Sequence, residues 1–286
     1  ASHGIAVSII GTNKPVSVPT GGLDSEDLDA VINNTVNLTL PKKHNFSIER
    51  IDFMSVYAKR LRDMICREVN AENYEKPLDG YKIVVDAGNG VGGFYASEVL
   101  EKLGADVSGS QFLNPDGMFP NHAPNPENEE AMKSISAAVV RNSADLGVIF
   151  DTDVDRASCV DENGTEINRN RLVALASIIA LEGNEGGTIV TDSVTSTGLT
   201  GFINKTLGGV HYRYRRGYRN VINEQLKLNR EGVNCPLAIE TSGHAAFREN
   251  YYLDDGAYLI TKIVIKMAQM GKEGKKLESL ISSLKD

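Results

Sequence analysis

The sequence predicts an α/β fold of two consecutive domains, each a mixed, mainly parallel sheet flanked by helices. Apolar, β-branched segments alternate with amphipathic helical segments over most of the 286 residues, which is typical of parallel sheets with crossover helices. The pattern occurs twice, since apolar segments that end in Asp86 and Asp192 are each followed by a later apolar segment that runs into an acidic loop. Ligands of such sheets bind beyond the carboxyl ends of the strands, so the acidic residues of those loops, Asp151 and Glu240, are the strongest candidates for a site.

The composition fits a globular protein and excludes several functional classes. The 30 Lys and Arg residues against 38 Asp and Glu residues give a net charge of −8, which argues against a nucleic-acid partner. The longest apolar run, residues 172–181, is about half of the ~20 residues that a membrane-spanning helix needs, which argues against a membrane partner. Three cysteines, Cys66, Cys159 and Cys235, form neither a disulfide framework nor a metal-binding pattern. They indicate a reducing intracellular compartment, either the cytoplasm or an organelle such as a plastid, and the sequence does not predict an oligomeric state.

The first block of elements begins with an irregular segment, residues 1–40, and a long amphipathic helix. Apolar residues recur at helical spacing from 47 to 69, which predicts one helix over 47–69. A shorter helix is expected over 25–32, where Asp24 or Ser25 would cap it. The remaining predictions for this block are strands over 81–87, 105–108, 146–150 and 157–161 and helices over 93–103, 127–142 and 169–181.

A glycine-rich segment, residues 183–187, separates the first block from the second. After this segment the order of strands and helices repeats, which favours a domain boundary there. We therefore expect an N-terminal segment over 1–46, one α/β domain over 47–185 and another over 186–286. The predicted elements of the second block are strands over 188–192, 210–213 and 237–240 and helices over 197–207 and 218–228.

Three aspartates alternate in the segment D-T-D-V-D-R, directly after the strand predicted over 146–150. Asp151, Asp153 and Asp155 would repel one another unless a cation lies between them, and oxygen ligands favour Mg²⁺, Mn²⁺ or Ca²⁺ over Zn²⁺. Two alternatives stay open: a strand-end loop with solvated charges, and a calcium loop of the helix–loop–helix type. The calcium loop is disfavoured because Arg156 replaces the glycine at its sixth position. Arg156 itself could pair with the aspartates or bind a phosphate next to the metal.

The segment E-T-S-G-H, at the end of the strand predicted over 237–240, is a second candidate site. Glu240 and Ser242 could accept from and donate to neighbouring sugar hydroxyls, and His244 could transfer protons near neutral pH. The alternative is a strand-end turn with a capping serine and a solvated histidine.

Four arginines lie in the segment R-Y-R-R-G-Y-R, at a predicted strand-to-helix turn. A helix N-terminus favours anions, and arginine side chains strengthen that preference. The segment is therefore a candidate anion site or, alternatively, a solvated charged face. Its arginines are Arg213, Arg215, Arg216 and Arg219.

Gly88, Gly90 and Gly93 form a G-x-G-x-x-G pattern between a predicted strand and a predicted helix. This is the weak form of a dinucleotide-binding motif, whose acidic residue is expected at the end of the second strand. Asp106 lies at the start of that strand, so we favour a glycine turn that allows close packing of helix and strand.

The loop over 115–126, P-D-G-M-F-P-N-H-A-P-N-P, is stiff and polar. Proline restricts its backbone, and its asparagines and histidine carry several hydrogen-bonding groups. Asn121, His122 and Asn125 could therefore reach a ligand or satisfy the backbone of the loop itself.

These motifs, in this order, resemble those of the α-D-phosphohexomutases, the phosphoglucomutase/phosphomannomutase superfamily. D-T-D-V-D-R is similar to the magnesium loop of that family and E-T-S-G-H to its sugar-binding loop, while D-A-G-N-G and the loop over 115–126 are similar to segments of its second domain. The resemblance covers residues 47–286. Family members have four domains, which implies that 47–185 is the second, metal-binding domain and that 186–286 is the third, sugar-binding domain. Residues 1–46 would be a remnant of the first domain, and the fourth, phosphate-binding domain has no counterpart.

The resemblance implies a Mg²⁺-dependent enzyme that interconverts hexose 1-phosphate and hexose 6-phosphate. A phosphoserine gives its phosphoryl group to the substrate, and a hexose 1,6-bisphosphate, which is also the activator, turns over and returns the other phosphate. Carried over by motif, the three aspartates of the first motif are the metal ligands, and Arg156 lies beside the phosphoserine. His244 is the acid/base candidate, and the substrate ligands are Glu240, Ser242 and Arg215.

The resemblance also suggests a nucleophile near the start of the sequence. The phosphoserine of the family lies in T-A-S-H-N-P, and this sequence begins A-S-H, so Ser2 would be the phosphoserine and His3 its neighbour. Gly4 and Ile5 replace the last two residues of that motif.

Three functions are consistent with these motifs. The first is a phosphohexomutase that acts on a hexose phosphate, with this chain inactive by itself because the fourth domain is missing. The second is a non-catalytic, sugar-phosphate-binding member of the same family. The third, which depends on the glycine turn alone, is an NAD-dependent oxidoreductase. The sequence does not distinguish glucose, mannose and aminosugar phosphates, because that choice depends on the shape of the pocket.

Overall fold

The computed structural model describes residues 5–7, 16–18 and 51–285. The chain forms two compact units, Ala1–Tyr57 and Ala58–Asp286. In the first unit, strand β1 (Ile5–Val7) pairs antiparallel with strand β2 (Val16–Val18).

The rest of the described chain contains seven α-helices and eight strands. The helices are α1 (Phe53–Val69), α2 (Glu129–Asn142), α3 (Arg169–Leu181), α4 (Thr197–Gly201), α5 (Tyr218–Arg230), α6 (Gly256–Lys272) and α7 (Glu278–Ile281). The strands are β3 (Ile83–Asp86), β4 (Leu146–Phe150), β5 (Ala157–Asp161), β6 (Glu166–Ile167), β7 (Thr188–Thr191), β8 (Val210–Arg213), β9 (Leu237–Ile239) and β10 (Ala245–Phe247).

The first four-stranded sheet has the order β3-β4-β5-β6. Strands β3 and β4 are parallel, because the connection between them contains helix α2 and is long enough to cross over the sheet. Strands β4 and β5 are antiparallel, with Val148 opposite Cys159, because only residues 151–156 connect them. Helix α2 packs on these three strands, and helix α6 packs on β4 and β5. The sheet is therefore buried, and its loops carry the polar residues.

The second four-stranded sheet has the order β8-β7-β9-β10 and follows the same plan. Strand β7 is parallel to β8 and β9, and β10 returns antiparallel to β9 after a short loop. The first strand of each block also ends alike: Asp86 and Asp192 each accept the backbone N–H of the residue two positions further on. The loop after β4 and the loop after β9, which carry Asp151 and Glu240, thus have equivalent places in the two sheets.

This arrangement confirms the predicted α/β class with two mixed sheets flanked by helices. The second sheet is mainly parallel as predicted, but two of the three pairs of named strands in the first sheet are antiparallel. Strands β4, β5 and β8 and helix α3 have the predicted bounds. The strand predicted over 105–108 is wrong, because Asp106 and Gln111 make only isolated bridges and the chain turns between them at Gly109, whose φ is +97°. The domain bounds at residues 46 and 185 stay predictions.

Several helical elements differ from the prediction. The helix predicted over 93–103 winds as a π-helical turn (Tyr95–Leu100) followed by a 3₁₀ turn (Glu101–Leu103). The helix predicted over 47–69 begins at Phe53 in the described chain, and the helix predicted over 25–32 lies outside the described residues. Within residues 51–285, no helix combines the length and the apolar character that crossing a membrane requires.

Candidate active site

Three carboxylates of the loop between β4 and β5 lie close together. Asp151 is buried at the end of β4, Asp155 is partly buried and Asp153 is exposed. Each offers a carboxylate oxygen that lies within 4.8 Å of those of the other two. The three predicted metal ligands therefore converge beyond the carboxyl end of the sheet.

Backbone contacts fix the shape of this loop, residues 151–156, which we call the metal loop. Val91 donates its N–H to the carbonyl of Thr152 at 3.0 Å, and Gly256, the first residue of α6, donates its N–H to the carbonyl of Val154 at 2.9 Å. Val154 has a φ of +71°, a conformation that a β-branched residue rarely adopts. Such a backbone persists only where its surroundings hold it, as these two hydrogen bonds do.

The charges of the metal loop fit a bound cation. Burial, together with the neighbouring Asp155, raises the pKa of Asp151 to about 6. Arg156 offsets part of the negative charge, because its backbone N–H and its Nε donate to the two carboxylate oxygens of Asp151 at 3.1 and 3.0 Å. Three carboxylates against one guanidinium still leave an excess of negative charge. All three supply oxygen ligands, the type that Mg²⁺ prefers, so the residues present fit this ion.

Arg156 also links the metal loop to the polar loop over 115–126. Its Nη1 donates to Oδ1 of Asn125 at 3.2 Å. The polar loop is held in turn by His122, whose Nε2 donates to the buried carboxylate of Asp86 at 3.0 Å. This hydrogen bond raises the pKa of His122. Both Asn125 and His122 therefore make contacts within the protein that position Arg156.

The loop over 240–244 lies against the metal loop. Arg156 and His244 form an antiparallel bridge, and Ala157 donates its N–H to the carbonyl of Gly243 at 3.4 Å. Gly243 has a φ of +99°, and a Cβ there would lie 2.6 Å from the carbonyl oxygen of Ala157, so only glycine fits. This close approach joins the two sites that the sequence predicts separately.

Glu240 and Ser242 are both buried in the 240–244 loop, with 3% and 7% exposure. Glu240 accepts the N–H of Gly217 at 2.6 Å, while burial raises the pKa of its carboxyl. Between the two residues, Thr241 donates its N–H and its hydroxyl to Asp192 at 2.9 and 2.8 Å. The buried Asp192 at the end of β7 thus fixes the loop that carries both predicted substrate ligands.

His244 has two carboxylates and an aromatic ring around it. Its Nδ1 donates to Asp254 at 2.7 Å and lies 3.8 Å from Asp155. The ring stacks on Tyr218, with 5.0 Å between centroids. Burial lowers the pKa of His244, but the hydrogen bond to Asp254 and the charges of Asp254 and Asp155 outweigh it, so the pKa is raised. With Nδ1 engaged by Asp254, Nε2 is the ring nitrogen that remains for a substrate.

The arginine-rich segment borders the same site. Gly217, inside this segment, is the residue whose N–H binds Glu240. The four arginines are exposed, and the guanidinium of Arg215 lies over the ring of Tyr214, 5.5 Å from its centroid. The segment therefore places accessible positive charge next to the 240–244 loop.

The glycine turn after β3 packs against other loops. A Cβ at Gly90 would lie 2.6 Å from the carbonyl oxygen of Thr152, and a Cβ at Gly93 would lie 2.1 Å from that of Leu113. Asp106 is exposed and pairs with Lys82 at 3.2 Å. These contacts favour the interpretation of the three glycines as a turn that allows close packing over their interpretation as a dinucleotide-binding motif.

Two predicted residues fall outside the described chain, and two contributors to the site escaped the sequence analysis. Ser2 and His3 lie among the residues that the structure does not describe. The two contributors are the hydrogen-bond and stacking partners of His244: Asp254 lies in no predicted motif, and Tyr218 lies in the arginine-rich segment but was not itself a candidate. Their only signal is position, because Asp254 lies two residues before the start of α6 and Tyr218 is the first residue of α5.

The sequence matches two consecutive domains of one protein family. The profile of "Phosphoglucomutase/phosphomannomutase, alpha/beta/alpha domain II" matches residues 55–164, and that of domain III matches residues 168–286. Phosphomannomutase/phosphoglucomutase of Pseudomonas aeruginosa is 33% identical over 238 residues, which cover 83% of this chain and 48% of that protein. The chain thus spans about half the length of the curated relatives it matches.

Solved structures have the same fold. A phosphoglucomutase/phosphomannomutase family protein from Burkholderia thailandensis has a TM-score of 0.67 and 26% identity, with 92% of this chain and 53% of that chain covered. The N-acetylphosphoglucosamine mutase of Aspergillus fumigatus, solved with GlcNAc-6P and magnesium, has a TM-score of 0.54 and 15% identity, with 80% of this chain and 53% of that chain covered. The two domain matches and the Pseudomonas aeruginosa relative establish that the chain belongs to the α-D-phosphohexomutase superfamily of phosphoglucomutases and phosphomannomutases.

Proposed function

We propose that the protein containing this chain is a Mg²⁺-dependent phosphohexomutase, which interconverts hexose 1-phosphates and hexose 6-phosphates. The observation that carries the proposal is the contact between the metal loop and the 240–244 loop, where Arg156 bridges to His244. A carboxylate cluster suited to Mg²⁺ and a loop suited to sugar hydroxyls thus border one site. Because the chain spans about half the length of its curated relatives, the activity is assigned to the intact protein.

In this proposal the metal loop holds Mg²⁺ through Asp151, Asp153 and Asp155. When bound, the ion offsets negative charge on the transferring phosphoryl group. Arg156 binds an oxygen of the same group. Its Nε and Nη1 are engaged by Asp151 and Asn125, which orients the guanidinium and leaves Nη2 for the phosphoryl oxygen.

The 240–244 loop and the arginine-rich segment bind the hexose phosphate. Glu240 accepts hydrogen bonds from sugar hydroxyls and Ser242 donates one, while Arg215 adds a positive charge for the phosphate. His244 transfers the proton of the reacting hydroxyl through Nε2, since Asp254 holds Nδ1.

The phosphoryl donor in this proposal is phosphorylated Ser2, with His3 beside it. The serine gives its phosphoryl group to the free hydroxyl of the monophosphate, which yields the hexose 1,6-bisphosphate, and the other phosphate of that intermediate returns to the serine. The same proposal takes 47–185 as the metal-binding domain and 186–286 as the sugar-binding domain. Three buried, free cysteines support a reducing compartment for this enzyme.

Phosphorus NMR on the full-length protein tests the proposal. The sample contains Mg²⁺, a trace of hexose 1,6-bisphosphate, and glucose 1-phosphate or mannose 1-phosphate in turn. We expect the signal of the 1-phosphate to fall and that of the 6-phosphate to rise, at rates that identify the preferred sugar. The variant Asp153→Asn should lose this conversion, and the control Glu185→Gln, which removes an exposed charge elsewhere, should retain it.

Two outcomes would count against the proposal. A protein that binds Mg²⁺ and sugar phosphate without converting either substrate is a non-catalytic member of the family. Normal turnover by the 286-residue chain alone would contradict the assignment of activity to the intact protein.

A further inference from the structure

The side chain of His244 faces two carboxylates that come from different loops. Its Nδ1 lies 2.7 Å from Oδ2 of Asp254 and 3.8 Å from Oδ2 of Asp155. One ligand atom from each of the three residues lies within 4.8 Å of those of the other two. The side chains of His244, Asp254 and Asp155 are 15%, 12% and 36% exposed, so an ion from solution can reach them. We call this group the histidine cluster.

The histidine cluster differs from the metal loop in the type of its ligands. It offers one imidazole nitrogen and two carboxylate oxygens, whereas the metal loop offers carboxylate oxygens alone. An imidazole ligand suits Zn²⁺, while Mg²⁺ and Mn²⁺ prefer oxygen. Three protein ligands of these types, with water in a fourth position, form zinc sites that stay open to solution. The two clusters share Asp155, but their chemistry favours different ions.

The distances within the histidine cluster are close to those of a zinc site. Bonds from Zn²⁺ to imidazole nitrogen and carboxylate oxygen are about 2.0–2.2 Å long, which places tetrahedral ligands about 3.4 Å apart. The separation of Nδ1 from Asp254 is shorter than this value by about 0.7 Å, and its separation from Asp155 is longer by about 0.4 Å. Small rotations of partly exposed side chains can therefore bring the three ligands into place.

Contacts outside the cluster already orient its side chains. Oδ1 of Asp254 accepts the backbone N–H of Ala245 at 3.1 Å, which leaves Oδ2 directed at His244. The ring of Tyr218 stacks on the imidazole, and the bridge to Arg156 fixes the backbone of His244. Such outer contacts hold the ligands of metal sites in position and strengthen the binding of the ion.

We propose that Asp155, His244 and Asp254 form a Zn²⁺ site that is distinct from the Mg²⁺ site of the metal loop. Nδ1 releases its proton to solution and binds the ion together with one oxygen of each carboxylate, and water takes the fourth position. With Nδ1 bound to the ion, Nε2 keeps its hydrogen and cannot accept a proton. Zn²⁺ thereby inhibits the proton transfer assigned to His244, a consequence that rests on the proposed function.

Calorimetry with Zn²⁺ on the full-length protein in excess Mg²⁺ tests the site without measuring turnover. Loss of an outer support alone costs a metal site about 10–100-fold in affinity, so Asp254→Asn, which removes a ligand, should weaken Zn²⁺ binding by about tenfold or more. The same variant should keep its Mg²⁺ affinity, because Asp254 is not part of the metal loop. Asp153→Asn should show the reverse pattern, and the exposed control Glu185→Gln should leave both affinities unchanged.

Co²⁺ reports the ligand geometry independently, because its visible absorption is intense in four-coordinate sites and weak in six-coordinate sites. We expect the intense spectrum in the wild type and in Asp153→Asn. His244→Gln should lose this spectrum, and it serves as the second variant should Asp254→Asn fail to fold.

Two results would refute the proposal. Zn²⁺ binding that is lost in Asp153→Asn and retained in Asp254→Asn would place the ion in the metal loop. Absence of Zn²⁺ binding in excess Mg²⁺ would leave protonated His244 as the only cation between the two carboxylates. Neither result depends on the conversion of hexose phosphates, so Zn²⁺ binding as expected in a protein without turnover would count against the proposed function alone.

Discussion

Replacing Gly90 by alanine is expected to disturb the metal loop without changing a charged residue. A Cβ at position 90 would lie 2.6 Å from the carbonyl oxygen of Thr152 and 3.0 Å from its Cα. Ordinary contacts begin near 3.4 Å, so the backbone of Thr152 must move by about 0.8 Å to make room. Thr152 lies between Asp151 and Asp153, so the displacement reaches two proposed metal ligands at once.

The size of this displacement sets the expected effect. Ligand distances at metal sites are held to about 0.2 Å, so a shift of about 0.8 Å exceeds what the site tolerates. We expect Gly90→Ala to weaken Mg²⁺ binding by about 10- to 100-fold, the range seen when the supports of a metal site are lost. Overpacking at a close contact should also lower the free energy of unfolding by about 1–3 kcal/mol.

Calorimetry with Mg²⁺ and urea denaturation measure the two effects on the same protein. The matched control is Gly201→Ala, because Gly201 has a helical φ of −61° and nothing lies within 4 Å of its added Cβ. That variant should bind Mg²⁺ normally and gain about 0.5–1 kcal/mol of stability. Wild-type Mg²⁺ affinity in Gly90→Ala would refute the view that the glycine turn shapes the metal loop.

Three other side chains give separate tests. Asp153→Asn should weaken Mg²⁺ binding by about tenfold or more in calorimetry. Because Asp153 is exposed, the substitution should change the free energy of unfolding by less than about 0.5 kcal/mol. Unchanged Mg²⁺ binding would exclude the aspartate cluster as the metal site. Glu240→Gln keeps an acceptor for the N–H of Gly217 but removes the negative charge. The affinity for hexose phosphate should therefore fall about tenfold. An affinity equal to that of the wild type would show that Glu240 does not bind the substrate. Burial, and then the charge of Arg213, lower the pKa of His211 to about 4. The unfolded state therefore binds a proton at this histidine below about pH 6.5, whereas the folded state binds it only near pH ~4. The free energy of unfolding should therefore fall by up to about 3 kcal/mol as the pH drops through this range. Urea denaturation of the wild type and of His211→Gln, near neutral pH and near pH ~4.5, measures this loss, which should be smaller in the variant by the contribution of His211. Identical pH profiles for both proteins would contradict this assignment.

The metal loop could be predicted because its information is local. Three aspartates at alternate positions, directly after an apolar run, already place three carboxylates at the end of a buried strand. The same holds for Glu240 after β9. Strand β4 was equally clear, because a short apolar run between polar segments leaves few alternatives to a buried strand.

The partners of His244 could not be predicted, because they come from other elements of the fold. Asp254 reaches His244 after a turn of the chain beyond β10, and Tyr218 stacks on it from the start of α5. Neither contact has a sequence spacing that signals it. Such contacts depend on how the sheets and helices pack.

The wrong prediction of a strand over 105–108 has a different cause. Its residues have moderate strand character, but Gly109, with a positive φ, and the contacts of Asp106 with Ser108 turn the chain before a ladder can form.

Manganese in place of magnesium tests the central claim most directly, because Mn²⁺ accepts the same oxygen ligands and broadens the NMR signals of nearby nuclei. The account predicts that substoichiometric Mn²⁺ broadens the amide signals of 151–156 and of 240–244 together, and that Asp153→Asn abolishes both effects. Broadening that is confined to the metal loop, or that centres on other carboxylates such as Asp145 and Asp161, would contradict a single site formed by the two loops.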